Sequence, residues 1–245
     1  MKSESGYFKK NAAIAGLLFF CGLIAGLLSI APPVESADYL VEVSKNEMQV
    51  LSGAFFQFLM IPAYIGSAIA LYPVLKMYSE PLALGFAGSR IMAGVFHMIG
   101  VIILPLFIVL SREFLKAGSP DNSNFQTLGE LMRAGRDLTN HVAMILPLGM
   151  GSLLYSFILL RARLVPVWLC VWGFVAALLT VAASLCFLFA LFPVISVQYM
   201  IMNIPMGLQE LVLALWLIVR GFSKTAIDSL AENKSWKNCS CCIVQ

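Results

Sequence analysis

Ile91-Met-Ala-Gly-Val-Phe-His97-Met-Ile-Gly-Val-Ile-Ile-Leu-Pro-Leu-Phe-Ile-Val-Leu-Ser111 is long enough to cross a bilayer, and His97 is its single ionisable side chain. A spanning helix needs about 20 predominantly apolar residues. Five more stretches read the same way: 11–32, 50–76, 141–160, 167–192 and 199–219. The expected fold class is all-α, a polytopic bundle of six transmembrane helices with the lipid bilayer as its solvent. Composition agrees. Of 245 residues, 60% are hydrophobic and 12% charged, with a mean hydropathy of +0.88. Soluble domains carry about 25% charged residues. Short connections leave room for one transmembrane domain, 1–222, followed by a flexible tail, 223–245. The longest internal connection is 112–140.

Lys and Arg set the orientation. With the N-terminus in the cytosol, Lys2, Lys9, Lys10, Lys76, Arg90, Arg161, Arg163, Arg220, Lys224, Lys234 and Lys237 fall on the cytosolic side. Lys45, Arg112, Lys116, Arg133 and Arg136 fall outside. The imbalance puts both termini in the cytosol. Tyr72, Tyr78, Trp168, Trp172 and Trp216 then form an aromatic belt at the cytosolic interface. No basic cluster is dense enough for nucleic acid. The first apolar stretch is too long for the core of a secretory signal and reads as a span.

Gly22 and Gly26 make a GxxxG, which lets helices approach closely. Packing within the chain is the preferred reading over dimerisation. Pro32-Pro33 should end the first helix, and Pro62 should kink the second. In the long connection, Phe125, Leu128, Leu131 and Met132 recur at helical spacing, with Ser123 or Asn124 as N-cap. They predict a short amphipathic helix on the outer membrane surface, covering the bundle's mouth or acting as a lid. The spans do not divide into two similar halves, so an inverted-repeat transporter is not supported.

Ionisable groups within spans are functional candidates because charge in hydrocarbon is expensive. Glu210 lies near the middle of the sixth span and His97 within the third. Arg90, Ala93, Gly94, His97 and Gly100 fall on one helical stripe. Asn203, Met206 and Glu210 share a face of the sixth span, and Gln209 adjoins it. Taking Arg90 as the cytosolic boundary, His97 lies roughly 10 Å inward at 1.5 Å per residue. Glu210 lies roughly 15 Å inward from Arg220. The similar depths make a contact between His97 and Glu210 the expected geometry if the third and sixth spans are neighbours, with Arg90 reaching into the same space. The candidate polar centre is therefore Glu210, His97, Arg90, Asn203 and Gln209. Replacing Glu210 by Gln should leave the fold in place and remove a ligand response.

No metal site or cofactor is expected. His97 and His141 are the only histidines and are expected near opposite membrane faces, and no HExxH or paired CxxC gathers ligands. Gly149-Met-Gly-Ser152 lies mid-span and matches neither a nucleophile elbow nor a phosphate loop. Cys21, Cys170 and Cys186 read as apolar packing residues. Cys242-Ile-Val-Gln245 has the form of a prenylation box, read here as a chance match.

Three blocks carry a resemblance. The first is Ala70-Leu-Tyr-Pro-Val-Leu-Lys76, followed by Leu82-Ala-Leu-Gly-Phe86 and Arg90. The second is Leu160-Arg-Ala-Arg-Leu-Val-Pro166-Val-Trp168 with Trp172-Gly173. The third is Gln209-Glu-Leu-Val-Leu-Ala-Leu-Trp-Leu-Ile-Val-Arg-Gly-Phe222. Together they resemble a bacterial six-span membrane family known as domain of unknown function 4386. The resemblance implies topology and a bacterial plasma membrane, and no mechanism. Family members often place an acidic residue three positions after the arginine of the third span, where this chain has Ala93. By that comparison Arg90 is left free, or Glu210 takes over. A basic residue often follows the proline of the second block, where this chain has Val167.

Three functional readings follow. The first is an integral membrane protein that binds or passes a small or lipidic molecule at a polar centre near Glu210. The second is a structural or regulatory subunit recruiting a membrane protein partner through glycine-rich faces. The third is an intramembrane enzyme using Glu210 and His97 as acid and base.

Overall fold

The structure is a computed structural model and describes residues 2–118 and 123–241. The described residues are helical and contain no strand. In chain order the helices are α1 (Lys2–Leu28), α2 (Pro32–Glu35), α3 (Tyr39–Lys45), α4 (Glu47–Tyr78), α5 (Glu80–Ala117) and α6 (Ser123–Leu138). A π-helical turn, Thr139–Ala143, follows, and then α7 (Ile145–Arg161), α8 (Val167–Leu188), α9 (Val197–Val219) and α10 (Lys224–Cys241). Six segments are long and apolar enough to cross a membrane: Gly6–Leu28, Glu47–Tyr78, Glu80–Ala117, Ser123–Arg161, Val167–Leu188 and Val197–Val219.

The spans form a ring in chain order. Each of α1, α4, α5, α7, α8 and α9 packs on the next, and α1 closes the ring on α9. Consequently α5 and α9 face each other across the centre. Leu71, Phe86, Tyr155, Ile158 and Leu213, each at most 1% exposed, fill the core at one end. Leu27, Ile69, Val95 and Val109 face outward, each more than half exposed. In a bilayer that surface meets acyl chains, and every backbone polar group in the spans must be bonded within its helix. Close approach of α1 to α9 depends on Gly16, where a β-carbon would stand 2.6 Å from the Ala214 carbonyl oxygen. Gly22 and Gly26 also pack within the chain, against Ala63 and Met60 of α4.

Several boundaries differ from the sequence reading. The first helix ends at Leu28, and Pro32-Pro33 opens α2 instead, since proline is tolerated in a first turn. α8 stops at Leu188, with Ala190 in a left-handed turn. α4 runs to Tyr78 through Pro62 and Pro73, and Ser79 alone joins it to α5. The third span therefore begins at Glu80 rather than near Arg90, because Pro81 fits the first turn of a helix.

At 38 residues α5 is about 57 Å long, well beyond a hydrocarbon core of about 30 Å. Its far end joins α2, α3 and α6 in a cap with its own core, including Val34, Tyr39, Val43 and Phe107. The amphipathic helix expected in the long connection is α6. It packs on α5 and runs through the π turn into the fourth span. Phe125 and Met132 join the cap core, whereas Leu128 and Leu131 are exposed. The hydroxyl of Tyr39 donates to the Gln126 carbonyl, and its ring fills the space a Gly129 side chain would occupy. Burial and the nearby Glu130 push the Tyr39 phenol pKa up, so it stays protonated. Arg133 stacks 4.4 Å from the Tyr39 ring and donates to the carbonyls of Val34 and Ser36. Arg136 pairs with Glu35 at 2.5 Å.

At the opposite end, the segment after residue 222 forms α10, which packs Ala226 and Ile227 into the main core. The prenylation-like box lies outside the described residues. The interfacial aromatics sit beside cations here: Lys76 lies 5.3 Å from the Tyr72 ring and Arg220 5.5 Å from that of Trp216.

Candidate functional site

Because α5 starts at Glu80, Arg90 lies about 15 Å inside the helix. Glu210 lies about 15 Å from Arg220 at the same end of α9. Equal depth on facing helices brings the two together across the ring, with Arg90 Nη2 3.4 Å from Glu210 Oε1. The Arg90 side chain is fully buried, and that of Glu210 is 13% exposed. Arg90 Nη2 also donates to Ser152 Oγ at 3.5 Å.

Four rings enclose the guanidinium. Phe19, Phe86, Tyr155 and Tyr64 lie 5.3, 5.5, 5.8 and 5.9 Å from Arg90 Cζ. A desolvated cation over an aromatic face gains up to about 2 kcal/mol. Several such faces offset part of the burial cost, and the carboxylate supplies the countercharge. The ion pair is longer than the 2.7–2.9 Å of a strong charge-assisted bond. Arg90 Nε and Nη1 are buried without a hydrogen-bond partner. The carboxylate is thus loosely held and open to competition from another donor. Arg90 is therefore not free in this chain: with Ala93 uncharged, its countercharge comes from Glu210.

The remaining candidates are separated from this pair. His97 lies about 25 Å from Glu80 along α5, one level beyond Arg90, so the partner of Glu210 is Arg90 and not His97. The depth match read from the sequence failed because it took Arg90 as the membrane boundary. His97 is buried edge-on to Tyr64, with ring centroids 6.1 Å apart. Asn140, in the π turn, occupies the space a Gly100 side chain would fill, one turn beyond His97. His141 follows at that level and bonds the Tyr199 hydroxyl at 2.9 Å. The two histidines therefore do not lie near opposite faces, because α6 and α5 carry the chain well past the span and the π turn re-enters the bundle. Asn203 turns back to the Tyr199 carbonyl of its own helix. Gln209 points to α8, with Nε2 3.4 Å from the Leu169 carbonyl. No group of three metal-ligating side chains is found among the described residues.

A cavity of about 600 Å³ opens between α1, α4 and α9 and reaches Glu210, with Phe19 and Tyr64 shared between its wall and the aromatic cage. Leu23, Met60, Ala63, Tyr64 and Gly207 line it, and Glu210 is its only charged lining residue. The volume is that of a small-molecule site. Sequence reasoning did not find the aromatic cage. Only Phe86 carried a signal, one turn before Arg90 on the buried stripe. The other three rings come from α1, α4 and α7, whose approach no local pattern encodes.

A family model described as domain of unknown function (DUF4386) matches residues 14–221. No curated protein and no solved structure matches the chain.

Proposed function

We propose, from the premise that this chain belongs to the family of domain of unknown function DUF4386, that it is a membrane protein that binds an amphipathic molecule between α1, α4 and α9. The tail of that molecule occupies the apolar cavity, and its head donates a hydrogen bond or an ammonium group to Glu210. One observation carries this reading: a single carboxylate, held by one loose bond, lines an otherwise apolar 600 Å³ cavity within the spans. Arg90 is fully buried and does not line the cavity, so a ligand there meets the carboxylate and not the guanidinium. The partner-recruiting alternative loses support because Gly16, Gly22 and Gly26 are spent on contacts within the chain. The enzyme reading loses support because Glu210 is engaged by Arg90.

In this reading the end bearing Lys76, Arg161 and Arg220 faces the cytosol of a bacterial plasma membrane. The Lys and Arg asymmetry favours that orientation even with the buried Arg90 set aside.

The test compares thermal stabilisation by a panel of lipids and amphipathic amines in wild type, Glu210→Gln and Gly207→Leu. A Gly207 β-carbon meets nothing within 4 Å, so the larger side chain enters the cavity without disturbing the ion pair. Both variants should lose the response of wild type. Glu210→Gln should also start from a lower melting temperature, because it removes the countercharge of Arg90. A response retained in Gly207→Leu would overturn the reading.

A further inference from the structure

A second cavity, of about 960 Å³, lies at the α10 end of the bundle, where the second, third and fourth spans end, and does not include Glu210. Three cations converge on it from different elements: Lys76 from the last turn of α4, Arg161 from the end of α7, and Arg163 from the α7–α8 turn. All three are exposed, and none forms a salt bridge among the described residues. Glu80 also lines the cavity but accepts the hydroxyl of Tyr72 at 3.3 Å. The lining therefore holds an excess of two positive charges.

A basic residue in a last turn stabilises a helix by opposing its dipole. That accounts for Lys76 and Arg161 one at a time. It does not account for Arg163, which follows the helix with a backbone φ of 52°. Arg163 is the left-handed residue of the turn that ends α7, where the Leu164 N–H donates to the Leu159 carbonyl. Here it sets a guanidinium beside the other two cations. On the facing wall, Ser223 and Thr225 open α10, with their hydroxyl oxygens 3.0 Å apart. One of these two hydroxyl hydrogens bonds the other oxygen, and the second is available to an incoming acceptor. The N-terminal end of α10 borders the same space, and helix N-termini favour anions.

We propose that this cavity binds a phosphomonoester group. A phosphomonoester carries about −1.5 to −2 charge at pH 7 and three acceptor oxygens. It matches the excess charge and engages guanidinium forks bidentately, which a single carboxylate cannot do for two arginines at once. The group belongs either to an anionic lipid headgroup at the membrane surface or to a water-soluble phosphate ester. The site is independent of the cavity at Glu210, and its failure leaves that reading untouched.

The experiment uses the full chain in phosphatidylcholine nanodiscs. One arm adds phosphatidic acid to the bilayer, and the other adds glycerol phosphate to the buffer. Binding is read by native mass spectrometry and by thermal shift. Saturable binding of one phosphatidic acid, weakened about tenfold or more in Lys76→Gln/Arg161→Gln, assigns the lipid source. The same pattern with glycerol phosphate assigns the soluble source. Lys9→Gln/Lys10→Gln removes the same charge away from the cavity and should bind as wild type does. Arg163→Gly separates fold from binding: glycine relieves the left-handed backbone, so the melting temperature should hold or rise while binding weakens. Equal losses in both double variants, or unchanged binding in Arg163→Gly, would reduce the site to a diffuse positive field and overturn the proposal.

Discussion

The two ends of this bundle treat their cations in opposite ways. At the cap end, Lys45, Arg112, Lys116, Arg133 and Arg136 each pair with a carboxylate, of Glu42, Glu47, Glu113, Glu130 and Glu35 respectively. At the α10 end, Lys9, Lys10, Lys76, Arg161, Arg163, Arg220 and Lys224 form no salt bridge among the described residues. Two of these pairs, Arg112 with Glu47 and Arg136 with Glu35, join separate helices, and the other three lie within one helix. Charges at the other end remain available to an anion. Between the two lies Arg90, paired like the cap cations but buried among rings. If pairing marks a structural charge, breaking a pair should cost more the deeper it lies, and removing an unpaired cation should cost least.

The largest effect falls at the centre. Arg90→Ala leaves Glu210 without its countercharge and empties the aromatic cage. Breaking one side of a buried pair costs about 3–5 kcal/mol, so thermal unfolding in detergent should occur at a clearly lower temperature. Arg90→Leu/Glu210→Leu removes both charges and should recover part of that loss. A double variant less stable than Arg90→Ala would mean that the pair does not act as one unit.

Next comes the cap. Arg133→Ala loses two bonds to backbone carbonyls and its stacking on Tyr39. Bonds to charged donors contribute about 1.5–3 kcal/mol each in buried settings, and partial exposure reduces this to about 1–2 kcal/mol in all. Hydrogen exchange should accelerate in α2, α3 and α6 and stay unchanged in α8 and α9. Exchange that rises evenly over the molecule would deny the cap its separate core.

Arg136→Gln removes the pair with Glu35 near the surface. Such pairs contribute about 0–1 kcal/mol and are screened by salt, so the variant should differ from wild type at low ionic strength and converge with it at high salt. The smallest effect on stability belongs to Lys76→Gln/Arg161→Gln, which leaves no carboxylate unpaired and loses only exposed helix-end contributions, so it should melt close to wild type and converge with it at high salt. A loss there as large as that of Arg133→Ala would erase the contrast between the ends.

Much of the fold was legible along the chain. Six spans follow from length and hydropathy, which are local properties, and all six are present. The buried stripe from Arg90 to Gly100 followed from helical periodicity alone, and Ala93, Gly94, His97 and Gly100 are buried as that stripe requires. The amphipathic run from Phe125 to Met132 gave α6, since apolar spacing survives outside the membrane. Less legible was where helices begin. Between Lys76 and Arg90 the polar break is confined to Ser79-Glu80-Pro81, and Ser79 alone lies outside the two helices. A window average passes over a one-residue turn, so Arg90 was placed at the surface and His97 at the depth that Arg90 occupies.

Sequence alone determined that this is a six-span helical membrane protein and that Glu210 and His97 sit where charge is costly, whereas the depth of Arg90 came only from the structure. Tertiary structure decided which of them meet. A helix records its own apolar face in its spacing, but the partner across a ring depends on the register of two helices far apart in the chain. Ring closure sets that register, through contacts such as Gly16 on Ala214, and it selects Arg90 for Glu210, encloses the guanidinium in four rings, and leaves one carboxylate facing an apolar cavity.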